Sequence, residues 1–130
     1  MNFIDWDESY SVGIDLIDNQ HKKLFETINN YHSEHSDTED SLNRLLAYID
    51  FHFSTEEDYF HRFNYEDTIE HTAQHLRYRD EINSLYSKYH YRNDDEKIRA
   101  ELEEFIRNWI THHIKISDKQ YTKCFKEHGL

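Results

Sequence analysis

The chain of 130 residues has no proline, only two glycines and a single cysteine. Glycine and proline are the residues that most often interrupt helices, and Gly13 and Gly129 both stand near the chain ends. The long stretch between them therefore predicts an all-α chain. The lone cysteine, Cys124, excludes an internal disulfide.

Basic residues are also scarce, because 15 Lys and Arg stand against 27 Asp and Glu and give a formal net charge of -12. A field of that sign repels phosphate backbones and anionic lipid headgroups, so neither nucleic acid nor a membrane surface is an expected partner. The sequence also lacks a long apolar run and a basic leader, which predicts a soluble, cytoplasmic protein. The length suits a single domain over residues 1–130.

Apolar and histidine residues recur at spacings of three and four in four stretches, which is typical of helices that bury one face. The second stretch shows the pattern most clearly, with Leu42, Leu45, Ile49, His52, Glu56, Tyr59 and Phe63. Short connections between such helices favour an antiparallel up-down-up-down four-helix bundle. We expect the bundle over about residues 18–116, after an N-terminal arm (1–17) and before a C-terminal segment (117–130) that forms a short helix.

The same pattern gives local predictions at the helix ends. Asp18 is expected to cap the first helix at its N-terminus, and Asn64 to interrupt the chain and cap the third. Ile69 and Ile116 are expected on the buried stripes of the third and fourth helices.

Six polar side chains occupy positions that the periodicity turns inward: His21, His52, Glu56, His71, His75 and His113. Buried without partners, such groups are strongly destabilising. All four helices contribute a histidine. Two pairs, His52 with Glu56 and His71 with His75, stand four residues apart, which places both members of a pair on one face within reach of one ion. The pattern predicts a metal in the bundle core rather than separate core histidines. His112 adjoins the last of them, but the spacing from Trp109 favours His113.

Ligand number and type narrow the choice of metal. Five imidazoles exceed what one tetrahedral zinc accepts, which favours two ions. Glu56 is placed to bridge them, and Asp118 is a second candidate if the helix is interrupted near Ser117. Nitrogen-rich ligation with carboxylates suits iron, copper or zinc, with iron preferred here. A ferritin-like di-iron enzyme would use Glu-x-x-His pairs, and the sequence has none.

Several blocks in order resemble the hemerythrin family, specifically the single-domain bacterial hemerythrins. They are Trp6, Ser11-Val12-Gly13-Ile14, Gln20-His21 with Leu24, His52-Phe53 with Glu56-Glu57, His71 with His75, and Trp109 leading to His113-Ile114-Lys115 and Asp118. The resemblance covers essentially the whole chain.

This resemblance implies a non-haem di-iron centre that binds O₂ reversibly. In the family pattern one iron is held by His71, His75 and His113, and the other by His21 and His52. Glu56 and Asp118 would bridge both irons, together with a solvent-derived oxo or hydroxo group. The iron with two histidines keeps an open position, where O₂ would bind.

Four apolar residues lie within a turn of the expected ligands and are candidates for a dry O₂ pocket: Leu24, Phe53, Trp109 and Ile110. Ordinary core packing is the alternative explanation, and both can be true of the same residues. Tyr121 is expected either near the site or at the surface. The resulting hypothesis is an O₂-binding protein for carriage, storage or delivery, and not an enzyme. Sensing of oxygen, redox state or nitric oxide through a protein partner stays open, as does a di-iron peroxidase or oxidase, although no separate acid/base pair is evident.

Overall fold

The computed structural model describes residues 3–33, 38–92 and 95–130 of the chain. Four long helices form the bundle: α1 (Asp15–Ser33), α2 (Thr38–Phe63), α3 (Thr68–Arg92) and α4 (Asp95–Trp109). The chain continues directly from α4 into a π-helix (Ile110–Ser117), a 3₁₀ turn (Asp118–Tyr121) and the short helix α5 (Thr122–Glu127). In the described part of the chain, no helix combines the length and apolar character that a bilayer-spanning segment needs.

Each long helix packs on the next one along the chain, and side-chain contacts close the bundle between α4 and α1. At that closing contact, Arg99 donates a hydrogen bond to the carbonyl oxygen of Tyr31 at 2.7 Å. His32 and Glu103 form a second link, with Nδ1 and Oε1 2.6 Å apart. The predictions of an all-α chain and a four-helix bundle are confirmed.

Two apolar clusters make up the core. The larger runs through the bundle: Leu24, Phe25, Ile28, Tyr31, Leu42, Leu45, Ile49, Phe53, Ile82, Leu85, Leu102, Phe105, Ile106, Trp109, Ile110 and Ile114. The smaller closes one end: Val12, Ile14, Ile17, Phe60, Tyr65, Tyr121 and Phe125. It joins the N-terminal arm to the end of α2 and to the C-terminal segment, so both chain termini stabilise the same end of the bundle.

The N-terminal arm is shorter than predicted, because α1 begins at Asp15. Asp18 therefore lies inside the first turn and does not cap the helix. Its carboxylate accepts hydrogen bonds from the Ser11 hydroxyl at 2.6 Å and from the Val12 backbone N–H at 2.8 Å. Between these donors and the helix, Gly13 has a φ of 77°, which glycine adopts without steric strain. Asp18 thus attaches the arm to α1.

The connection from α2 to α3 also differs from the prediction. Helix α2 ends at Phe63 as expected, but Asn64 has a φ of 50°, the left-handed conformation typical of a residue that ends a helix. Helix α3 begins only at Thr68, so Asn64 does not cap it. Ile69 is 88% exposed, because it stands two residues before His71, out of step with the buried stripe.

The π-helix after α4 changes the register of the chain. Its backbone N–H groups bond five residues back, and that of Asp118 bonds to the carbonyl oxygen of His113. Each residue therefore turns less about the helix axis than it does in an α-helix. Ile116, which the α-helical spacing places inside, is 56% exposed, whereas Asp118 is buried. In place of a predicted interruption near Ser117, the chain forms this π-helix, which begins at Ile110 and ends at Ser117.

Candidate metal centre

Seven side chains that the sequence singles out as ligands meet in the bundle core. They are His21 from α1, His52 and Glu56 from α2, His71 and His75 from α3, His113 from the π-helix and Asp118 from the 3₁₀ turn. Among the residues whose side chains the structure describes, these seven are the only buried polar or charged ones. The polar content of the core is therefore concentrated in one cluster.

The candidate ligand atoms of this cluster form two overlapping groups, and within each group all atoms lie within 4.8 Å of one another. One group is Glu56, His71, His75, His113 and Asp118, and the other is His21, His52, Glu56 and Asp118. Both carboxylates belong to both groups. The arrangement suits two neighbouring cations that share two carboxylates.

Asp118 directs one carboxylate oxygen towards each group. Its Oδ1 lies 3.0 Å from Nε2 of His71 and 3.0 Å from Nε2 of His113. Its Oδ2 lies 3.2 Å from Nε2 of His21, which belongs to the other group. The five-residue turn of the π-helix is what brings His113 and Asp118 onto the same side.

Glu56 approaches both groups through a single oxygen. Its Oε1 lies 3.4 Å from Nε2 of His52 and 3.3 Å from Nε2 of His75. Nevertheless, none of the four carboxylate oxygens of Glu56 and Asp118 takes part in a hydrogen bond. Buried ionised carboxylates without hydrogen bonds are strongly destabilising unless a cation neutralises them.

The Nε2 atoms of neighbouring imidazoles also face one another at short distances. Nε2 of His21 lies 2.9 Å from Nε2 of His52, and Nε2 of His75 lies 3.1 Å from Nε2 of His113. Two unprotonated nitrogens at such distances repel each other unless a proton or a metal ion lies between their lone pairs. The donor set, with five converging imidazoles and two orphaned carboxylates, therefore fits a pair of metal ions.

The pKa values show the opposed effects of burial and charge in this cluster. Burial lowers the pKa of His52 to about 4, because it disfavours the imidazolium. Burial acts in the same direction on His75, but the nearby carboxylates of Glu56 and Glu57 outweigh it and raise that pKa to about 9. For Asp118, burial is outweighed by the charge of His113, so its pKa lies well below the ordinary value. The field of the carboxylates thus favours positive charge between them.

In three of the five histidines, the Nδ1 atom, which faces away from the cluster, forms a hydrogen bond to a side chain on a neighbouring element. Nδ1 of His52 bonds to Oε1 of Gln20 at 2.9 Å, Nδ1 of His113 to Oε1 of Gln74 at 2.8 Å, and Nδ1 of His75 to Oε2 of Glu57 at 2.7 Å. An N–H at Nδ1 donates to each oxygen and leaves Nε2 with a free lone pair towards the cluster. The sequence pattern does not predict this role, although each partner adjoins a predicted ligand in the chain.

The four residues predicted to line an apolar pocket are all buried in the larger core cluster: Leu24, Phe53, Trp109 and Ile110. Phe53 stacks directly on His75, with ring centroids 4.0 Å apart and planes 7° from parallel. Trp109 meets the edge of Phe53 at 5.4 Å. Apolar rings thus cover one side of the cluster.

The structure places the two undecided residues differently. His112 is exposed and does not join the cluster, in keeping with the preference for His113. Tyr121 is fully buried, with its ring 5.8 Å from that of His71, and it stacks on Phe125. Burial and the nearby charge of Glu56 raise the pKa of Tyr121 well above its ordinary value. Tyr121 therefore borders the site as a neutral phenol.

A four-helix bundle with five histidines and two carboxylates gathered in its core defines a class of helical metal-binding domain. Residues 12–124 match the family described as "Hemerythrin HHE cation binding domain". The chain belongs to the hemerythrin family.

Individual relatives cover most of the chain. A bacteriohemerythrin of Clostridium acetobutylicum is 32% identical over 125 residues, which span 89% of this chain and 96% of the relative. A hemerythrin-like protein of Naegleria gruberi is 34% identical over 116 residues, which span 89% of this chain and 88% of the relative. A crystal structure of wild-type hemerythrin superposes with a TM-score of 0.80 at 26% identity, covering 93% of this chain and 96% of that one.

Proposed function

We propose that the cluster holds two non-haem iron ions and that the protein binds O₂ reversibly there, for carriage, storage or delivery of oxygen. The observation that carries this proposal is the pair of overlapping ligand groups that share both carboxylates. Membership of the hemerythrin family supports it, because several relatives are named bacteriohemerythrin.

The ligand assignment follows the two groups. His71, His75 and His113 would hold one iron, and His21 and His52 would hold the other, as the two groups of ligand atoms indicate. Glu56 and Asp118 would serve both irons, since one oxygen of Asp118 approaches each group. The iron with only two imidazoles has one protein ligand fewer, which leaves room for a small molecule. When bound, the two ferrous ions supply the electron pair that reversible O₂ binding requires.

The protein orients the histidine ligands and keeps water away from one side of the cluster. The outer hydrogen bonds of His52, His75 and His113 hold these rings so that Nε2 faces the cluster. Phe53 and Trp109 cover one side with apolar surface, which excludes water and limits proton delivery. A site kept dry in this way would favour release of the gas as O₂ over its further reduction. Sensing and peroxidase or oxidase activity would use the same residues, so the experiment must separate these functions.

The test is spectroscopic. The purified protein is expected to contain about two irons per chain, to lose its visible colour on anaerobic reduction, to regain it in air, and to lose it again under argon. Two irons that oxidise once and never recover would contradict reversible binding and favour a sensor or an enzyme. A protein without iron would contradict the metal assignment itself.

The ligand assignment has a matched pair of variants in adjacent positions. His113→Ala removes a buried imidazole that belongs to the three-histidine group, so we expect iron content to fall below two per chain and the spectrum to change. His112→Ala removes an exposed imidazole from the same turn and is expected to leave both unchanged. Equal behaviour of the two variants would show that the assignment is wrong.

A further inference from the structure

The three outer hydrogen bonds of the cluster are not equivalent. His52 and His113 donate to the neutral amide oxygens of Gln20 and Gln74, whereas His75 donates to the carboxylate of Glu57. A charged acceptor draws the Nδ1 proton more strongly than an amide does and makes the ring a stronger electron donor. Of these three rings, His75 therefore receives negative charge that the other two do not.

A cation outside the cluster shares that carboxylate. Nη1 of Arg79 donates to Oε2 of Glu57 at 2.9 Å, and this is the same oxygen that accepts from Nδ1 of His75. Nε of Arg79 donates to Oδ1 of Asp50 at 3.0 Å. Asp50 and Glu57 lie two turns apart on α2, and the guanidinium spans the gap between them. This fork of two guanidinium hydrogen bonds, one to Glu57 and one to Asp50, holds the Glu57 carboxylate in one place.

Arg79 also lies against the ring that covers His75. Its guanidinium carbon is 5.2 Å from the ring centroid of Phe53, which stacks on His75. The Arg79 side chain is 26% exposed and that of Glu57 is 20% exposed, so water screens their interaction less than that of an open surface pair. The charge of Arg79 is permanent, since a guanidinium stays protonated in proteins.

We propose that Arg79 is a positioning residue that sets, through Glu57, how much negative charge His75 passes to the metal. An oxygen shared between a guanidinium and an imidazole N–H donates less charge to each than it would to one alone. Arg79 therefore moderates the effect of Glu57 and keeps the centre from being stabilised too strongly in its oxidised, ferric state. This role rests on the proposed function, because it requires iron at His75.

Substitutions at the two positions are expected to have opposite effects. Arg79→Gln leaves the full Glu57 charge directed at His75, which favours ferric iron, so the reduction potential falls and irreversible oxidation in air becomes faster. Glu57→Gln gives His75 an amide acceptor like those of the other two rings, so the potential rises. Arg79→Lys keeps the charge but lacks the fork, and its potential is expected between those of Arg79→Gln and the wild type.

The experiment measures the reduction potential, iron content and melting temperature of the iron-loaded protein and its variants. The matched control is Arg62→Gln, which removes the same charge from an exposed ion pair with Asp58 on α2. The double variant Arg79→Gln/Glu57→Gln tests whether Arg79 acts through Glu57. In that background we expect the effect of Arg79→Gln to shrink to that of the control.

Opposite shifts for Arg79→Gln and Glu57→Gln, with the Arg79 effect lost in the double variant, would support the proposal. A shift at Arg79 no larger than that of Arg62→Gln, or one that persists without Glu57, would overturn it. If Arg79→Gln retains no iron, an unchanged potential in Arg79→Lys and Glu57→Gln would overturn it instead. A wild-type protein that binds no iron would be a failure of the proposed function, which the wild-type iron content distinguishes from a failure at Arg79.

Discussion

The two halves of the bundle contrast in what fills them. The half that contains the α1 C-terminus and the start of α2 is packed with apolar side chains such as Tyr31, Leu45 and Leu102. The other half contains the seven polar side chains of the candidate metal centre, closed off by the smaller apolar cluster. The apolar half is stabilised mainly by burial of apolar surface, whereas the polar half places like charges and facing lone pairs together. The proposed metal ions would therefore stabilise one half of the fold much more than the other.

Metal removal should separate the two halves most strongly. Each bound ion stabilises the folded state by about 2.7 kcal/mol when it is present at 100 times its Kd, so loss of two ions is a large effect. We expect chelation to lower the melting temperature and to speed amide hydrogen exchange in residues 52–60 and 109–121. Exchange in residues 24–31 and 98–105 should change much less. A uniform increase along the bundle would contradict the contrast.

A cavity in the apolar half should have the converse effect. Leu45 is fully buried in the larger cluster, so Leu45→Ala is expected to lower the free energy of unfolding by about 2–5 kcal/mol. Urea unfolding measures this loss, and iron content and spectrum should stay as in the wild type. Loss of iron from this variant would show that the two halves are coupled.

The arm that covers the polar half is held by a weaker contact. Asp18→Ala removes the acceptor of the Ser11 and Val12 hydrogen bonds, and we expect a loss of about 1–2 kcal/mol in unfolding free energy. Asp15→Ala, an exposed position three residues earlier, is the control and should change stability by less than about 0.5 kcal/mol. Equal losses would indicate a helix-dipole effect rather than attachment of the arm.

The smallest effect is expected on the outer face of α3 beside the metal centre. Ile69 is almost fully exposed, so Ile69→Ser should change the unfolding free energy by no more than about 0.5 kcal/mol. Leu85→Ser, on the buried face of the same helix in the apolar half, should be clearly destabilising. A large loss at Ile69 would mean that another surface covers this face in solution.

The bundle and the cluster could be predicted because both follow from one periodicity. Spacings of three and four place residues on one helix face, and this geometry does not depend on the neighbouring helix. The same rule explains the error at Ile69, since a spacing of two from His71 contradicts it. Asp18 and Asn64 were assigned from cap preferences, which these residues share with other roles in loops and helix ends.

The side chains that bond to Nδ1 of the histidines could not be predicted from helix periodicity. Gln20, Gln74 and Glu57 each serve a histidine on a different element, so their roles depend on which helices adjoin and at what height. The prediction for Ile116 is wrong and that for Asp118 was only conditional, because a residue count based on α-helical spacing does not reveal a π-helix. The register of that segment became clear only with its backbone hydrogen bonds.

The π-helix between Ile110 and Ser117 is also unusually sensitive to changes in chain length. A surface loop absorbs an inserted or deleted residue, because its ends stay where they are. Here a single deletion between His113 and Asp118 would alter the phase of everything that follows, including Tyr121 and Phe125, which close the end of the bundle. Variation in length is therefore tolerable in the connections between helices, whereas this stretch must keep its residue count.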